Sequence, residues 1–168
     1  MRNKIFFLKR TAWTLCTVAF SIAIHGQNTA QITEVPFTQV RIQDAFWSPR
    51  IETNRTVSIP SAFRECEKNG RFDNFAIAGG LKEGEDRCSF SFDDTDPYKI
   101  IEGASYSLAV KYDARLDAYL DSVIALIAAA QESDGYLTTC VTNRCTRLSG
   151  WWGTHRWEKI NSHELYNS

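Results

Sequence analysis

Three groups of side chains in this chain have the chemistry to meet a ligand. Asp93-Asp94-Thr95-Asp96 sets three carboxylates within four residues, with Pro97 and Tyr98 directly after. Carboxylates and a phenol hydrogen-bond sugar hydroxyls. The same run also suits a helix start, with Asp96 as N-cap, Pro97 at the first helical position and negative charge at the positive helix end. Both readings stand for Asp94 and Asp96. His163-Glu164 marks a second helix start. A histidine there bonds a hydroxyl or serves as a buried structural side chain, and Glu164 reads as a capping or ion-pair residue. Trp151, Trp152 and Trp157 share one loop with His155. Indole faces stack on the apolar faces of sugar rings, and they also pack loops onto helices.

Other chemistries find less support. Cys140, Cys145, His155 and His163 have the atom types for zinc, but their spacing matches no common zinc pattern, and no metal site is expected within these residues. There is no nucleophile elbow, phosphate loop or dinucleotide fingerprint. A net charge of −1 gives no argument for nucleic acid or an anionic membrane as partner.

The amino terminus reads as a secretory signal. Arg2, Lys4, Lys9 and Arg10 precede a mostly apolar run from Thr11 to Ile24, and Gly26 is a small residue before a polar stretch. At about 14 residues the run is too short to span a bilayer. Export to the periplasm or outside the cell is expected, with no membrane association after cleavage. Cys66, Cys88, Cys140 and Cys145 remain, in a compartment that permits disulfides. Three pairings are possible, and Cys140 with Cys145, neighbours in one loop, is the readiest.

The elements that would position these residues are helices. Phe37-Thr38-Gln39-Val40-Arg41-Ile42 alternates as a short strand does. A first helix is expected from Ile51 or Thr56 to Lys68, with Pro60 interrupting it or marking its first turn and Gly70 at its C-terminal left-handed position. Arg71 to Asp94 reads as a long loop. A second helix starts at Asp96 and carries an uncharged run from Ala104 to Val110, so it should be mostly buried. After a tight turn at Tyr112-Asp113-Ala114, a third helix bears Leu116, Tyr119, Leu120, Val123, Ile124, Ile127 and Ala130 on one stripe. A second long loop leads from Gly135 to a fourth helix near Ser162. A helix capped by Asn161 or Ser162 should run for several turns, so the chain is expected to continue beyond Ser168.

Two long connections in an antiparallel succession of four helices fall at one end, opposite the tight turn. Loops at one end of a rigid helical frame commonly carry the site. Alternation of buried and amphipathic helices suggests inner and outer layers, the plan of an α/α barrel of which four helices form part. A small complete helical bundle is the alternative.

Several segments, in order, resemble one family. These are Asp44-Ala45-Phe46-Trp47, the stretch Phe92-Asp93-Asp94-Thr95-Asp96-Pro97-Tyr98-Lys99-Ile100-Ile101-Glu102-Gly103-Ala104, then Ala130-Gln131-Glu132-Ser133-Asp134-Gly135-Tyr136-Leu137, and finally Ser162-His163-Glu164-Leu165-Tyr166. Together they look like the β-L-arabinofuranosidases of glycoside hydrolase family 127, also called DUF1680. The resemblance implies an all-α fold, here a partial α/α six-hairpin barrel of about four helices after the short strand. It divides the chain into a signal peptide (1–26), a leader (27–39) and the front of a catalytic domain (40–168). It implies retaining removal of β-L-arabinofuranose from plant glycans by a cysteine nucleophile beside a zinc ion, with a glutamate as acid/base. Nucleophile, acid/base and zinc ligands would all lie downstream of Ser168, so this segment would hold no cofactor and be inactive and poorly soluble alone. By position His163 would contact the sugar and Asp94, Asp96 and Tyr98 would match the pocket-side segment; Trp152 is expected at the sugar on its aromatic face alone. The competing expectation is a non-enzymatic carbohydrate-binding or structural helical domain.

Overall fold

The computed structural model describes residues 32–148, 150 and 155–167. The chain divides into two units, Met1–Phe37 and Thr38–Ser168. Of the first, only 32–37 are described, and all are exposed. The expected signal peptide lies outside the described residues. The described α-helices belong to the second unit.

The described residues contain helices and no strand. The alternating stretch read as a strand opens instead with a single 3-10 turn, Phe37–Gln39, and Val40 and Ile42 are each 49% exposed. A strand needs a partner to take up its backbone N–H and C=O groups, and alternation alone provides none.

The first helical run is longer than expected. It comprises α1 (Trp47–Thr53), a π-helical stretch (Asn54–Ser58) and α2 (Ile59–Lys68). Asp44 secures its start, one carboxylate oxygen receiving the N–H groups of Phe46 (2.7 Å) and Trp47. Pro60 lies in the first turn of α2. Proline donates no N–H and its ring crowds the carbonyl four residues back, which accounts for the widened turn just before it.

Gly70 ends α2 in the left-handed conformation (φ 73°) and at once precedes α3 (Arg71–Ala78). The loop expected from Arg71 is therefore helical for its first eight residues. The clue was Phe72, Phe75 and Ala76 at helical spacing, all buried. Directly after α3, Gly79 lies so near the backbone of Ala129 that a Cβ would sit 2.8 Å from its carbonyl carbon. Only glycine permits that approach.

The next two helices are α4 (Thr95–Val110) and α5 (Ala114–Ala130). Asp113 caps α5, accepting from the N–H groups of Arg115 (3.0 Å) and Leu116 (3.3 Å). The α5 stripe is largely as expected. Leu120, Val123 and Ala130 are buried, Leu116, Tyr119 and Ile127 are partly buried, and Ile124 is exposed. Within these residues α4 buries Thr95, Pro97 and Ala104, while Tyr106 and Val110 are exposed. Lack of charge permits burial but does not supply a covering surface.

The core joins Ile59, Phe63 and Cys66 of α2, Phe72 of α3, Ala104 of α4, and Leu120 and Val123 of α5. Phe63 meets Tyr119 edge-on (5.0 Å between centroids) and stacks with Phe72 (6.3 Å). Each such buried side chain contributes about 1.5–3 kcal/mol through removal of apolar area from water. Among the described residues two further short helices follow, α6 (Thr139–Thr142) and α7 (Glu164–Asn167), with 3-10 turns at Thr146–Leu148 and Ile160–Ser162. Among the described residues no helix is long and apolar enough to cross a membrane.

Candidate functional site

Buried carboxylates anchor the segments around the frame. Asp93, 3% exposed, takes three donors on one oxygen: the N–H groups of Ser89 (2.6 Å) and Phe90 (3.1 Å) and the Arg71 guanidinium (2.8 Å). Burial pushes its carboxyl up, while those backbone donors and Arg71 pull the other way. The loop is thereby tied to the start of α3.

Asp94 is turned inward. Its oxygens accept from the N–H (2.7 Å) and hydroxyl (2.6 Å) of Thr139, so it holds the first turn of α6. Burial pushes its carboxyl up to about 6 despite those bonds. It occupies the N-cap position of α4 but makes no side-chain cap bond there.

Asp96 was expected to cap α4. The helix begins one residue earlier, at Thr95, so Asp96 lies within the first turn and pairs with Arg71 (3.2 Å). It lines a cleft of about 260 Å³ with Cys66, Arg71 and Lys99. The Tyr98 ring tilts against Phe75 (5.9 Å), and its hydroxyl is buried without a hydrogen-bond partner among the described residues. Burial and the nearby Asp94 charge push that hydroxyl's pKa up.

His163 follows the last 3-10 turn in the left-handed conformation (φ 56°). Its ring meets Phe92 edge-on at 5.0 Å. It lines a second cleft, of about 500 Å³, with Trp157, Lys159, Ile160, Ser162, Glu164 and Leu165. The Ser91 hydroxyl donates to the Asn161 carbonyl (2.8 Å), joining the aspartate segment to the histidine segment.

Glu164 joins the third. It is 2% exposed and accepts from the Tyr136 hydroxyl (2.6 Å) and the Trp157 N–H (2.5 Å). The Tyr136 ring is flanked by Trp157 edge-on (5.3 Å) and by the Arg156 guanidinium (3.9 Å). Arg156 in turn pairs with Glu132 and with Asp134 (2.7 Å). The segments around Asp93 and Asp134, far from His163 in sequence, are thus both bonded to the segment that lines this cleft.

The family's sequence profile, that of the β-L-arabinofuranosidase GH127 catalytic domain, matches residues 39–168. The chain belongs to this GH127 family. A non-reducing end β-L-arabinofuranosidase of Bifidobacterium longum subsp. longum is 40% identical over 95 residues, 55% of this chain and 14% of that protein. A solved GH127 β-arabinofuranosidase superposes with a TM-score of 0.73 at 47% identity, covering 79% of this chain and 21% of its own. Ara127N-Se, a GH127 β-L-arabinofuranosidase from Geobacillus stearothermophilus T6, gives 0.68 at 32% identity, covering 76% and 20%. The chain therefore spans about a fifth or less of the length of these relatives, and its helices are a part of the GH127 α/α barrel.

Of the residues expected on the sugar wall, His163 lines the larger cleft, Asp94 is buried behind Thr139, and Asp96 lines the other cleft. Trp152 and Trp151 lie outside the described residues. Glu164, Tyr136 and Arg156 form the linkage that sequence reasoning undervalued; a tyrosine and a glutamate inside two motifs of one family were the available signal. No metal site was expected within these residues, yet the structure brings three thiols together: Cys88, Cys140 and Cys145 are buried with their sulfurs all within 4.8 Å of one another. None of the four described cysteines is disulfide-bonded, and the grouping includes neither His155 nor His163.

Proposed function

We propose that this chain is the front part of a secreted, retaining GH127 hydrolase that removes β-L-arabinofuranose from plant glycans, and that it supplies the substrate-positioning wall of the pocket. The observation that carries the reading is that the other two family segments bond directly to the segment lining the cleft of His163, Ser91 to Asn161 and Tyr136 to Glu164. His163 would bond a sugar hydroxyl there. The exposed Trp157 and, beyond the described residues, Trp152 would offer faces to the ring. Asp94 would act through Thr139, and Asp96 and Tyr98, which line no part of this cleft, would act through the segment they belong to.

Retention requires a nucleophile on one side of the sugar and an acid at the leaving oxygen. On this reading both, with the zinc ligands, would be supplied by segments outside residues 39–168. Hydrolysis is accordingly expected only when those segments are present. Secretion rests on the basic and apolar character of residues 1–26.

A chimera tests the reading. Residues 39–168 replace the corresponding segment of the Bifidobacterium enzyme, and release of arabinose from a β-L-arabinofuranoside is measured. The chimera should be active, His163→Ala should lower kcat/KM at least about 100-fold, and the chain alone should release nothing. A folded but inactive chimera, or hydrolysis by the chain alone, would overturn it. Arabinose binding by the chain with an inactive chimera would favour a non-enzymatic sugar-binding domain.

A further inference from the structure

We propose that Cys88, Cys140 and Cys145 form a three-thiolate structural site for a thiophilic divalent cation of the zinc class, with the Asp86 carboxylate close by. This site lies wholly within the chain and is separate from the zinc that the family resemblance places downstream.

The donor set fits such an ion. Three sulfurs bound at about 2.3 Å in a tetrahedron lie about 3.8 Å apart, and these lie within 4.8 Å of one another. All three residues are 1–3% exposed, so water is excluded. They come from separate places, Cys88 from the loop before α4, Cys140 from α6 and Cys145 from just beyond it, so the cation would bind two segments together. Asp86 adjoins them. Its carboxylate accepts the Cys88 N–H (3.3 Å) and bears on the thiols of both Cys88 and Cys145.

The surroundings favour thiolate once a cation is present. The Asn74 side-chain amide, fully buried, donates to the Cys88 sulfur (3.7 Å). Asn74 is itself held, its oxygen accepting the Arg87 N–H (2.8 Å) and its carbonyl the Asn143 amide (3.0 Å). Fixed donors of this kind orient ligands and raise affinity. Arg147 lies 3.9 Å from the Asp86 carboxylate and offsets part of the negative charge. Without a cation the arrangement is unfavourable to charge. A bound cation reverses that balance, each thiol releasing its proton to solvent. A disulfide would instead use two of the three sulfurs at about 2.05 Å and strand the third beside a carboxylate.

The test uses the full chain. Reduced, metal-free protein is titrated with cobalt(II) under anaerobic conditions. About one equivalent should bind, giving a thiolate-to-metal charge-transfer band and the intense visible bands of a tetrahedral site. Zinc should then slow alkylation of Cys88, Cys140 and Cys145 at least tenfold, reversed by chelator. Cys66→Ser should leave the bands intact, Cys88→Ser should abolish the charge-transfer intensity, and Asp86→Asn should weaken binding about tenfold or more. No charge-transfer band with the wild-type chain would overturn the proposal. So would peptide mapping that finds two of the three cysteines disulfide-bonded in protein isolated from an oxidising compartment.

Discussion

The helical frame and the loop layer are held by opposite means. In the frame, Phe63, Phe72, Leu120 and Val123 exclude water and need no particular partner atom. In the loop layer, Asp93, Asp94 and Glu164 are as deeply buried, yet each is fixed by named hydrogen bonds to another segment. Burial of apolar area tolerates imprecision, whereas a buried carboxylate is costly unless its donors stand in place. The frame therefore gives most of the stability, and the loop layer gives the positions of Phe92, Trp157 and His163. Charge and pH should act on the second and spare the first.

The largest expected effect tests the frame. Phe63→Ala should cost about 3–5 kcal/mol, measured by denaturant unfolding, because it leaves a cavity between α2, α3 and α5. Gly79→Ala should cost about 1–3 kcal/mol, since its Cβ would meet the backbone of Ala129. A neutral result at Phe63 would mean that the frame is not the stable half.

Removing a carboxylate tests the layer. Asp94→Ala should cost about 2–3 kcal/mol, seen as loss of amide-exchange protection at Thr139 with α5 protection less affected. Equal loss in both regions would erase the contrast. Asp94 also gives the layer a pH dependence. Its folded pKa, about 6, lies above the ordinary 3.8. The native state then holds a proton that the unfolded state has lost, so this group's contribution falls as pH rises from about 4 to about 6. Asp94→Asn retains an acceptor for the Thr139 N–H and a donor for its hydroxyl. The stability of wild type minus that of Asp94→Asn should therefore decline across that window. A flat difference would show that Asp94 is not raised.

The smallest effect sharpens the comparison. Tyr98→Phe removes a buried hydroxyl that has no partner among the described residues. It should be neutral or stabilising by up to about 1 kcal/mol in thermal melting. A clear loss would show that the hydroxyl is engaged.

Legibility followed the same division. The α5 stripe, the Asp113 turn and the Gly70 helix end were readable because period, cap and left-handed glycine act within a few residues. Helix α3 was missed because eight residues give a short periodic signal inside a glycine-rich stretch. The strand near Val40 was wrongly expected because pairing is a non-local property. Asp96 was misjudged as the cap by one residue, and nothing local announced that the oxygens of Asp94 hold Thr139, 45 positions away in sequence.

By itself the sequence determined the helical class, the ordered family segments and the candidate status of His163, since each rests on local pattern. Only tertiary structure decided that Tyr136 would find Glu164, that Cys88 would join Cys140 and Cys145, and that Asp94 would face inward. Those outcomes depend on which distant donors reach a group once water has been removed from it. That is a matter of three-dimensional packing and leaves no periodic mark along the chain.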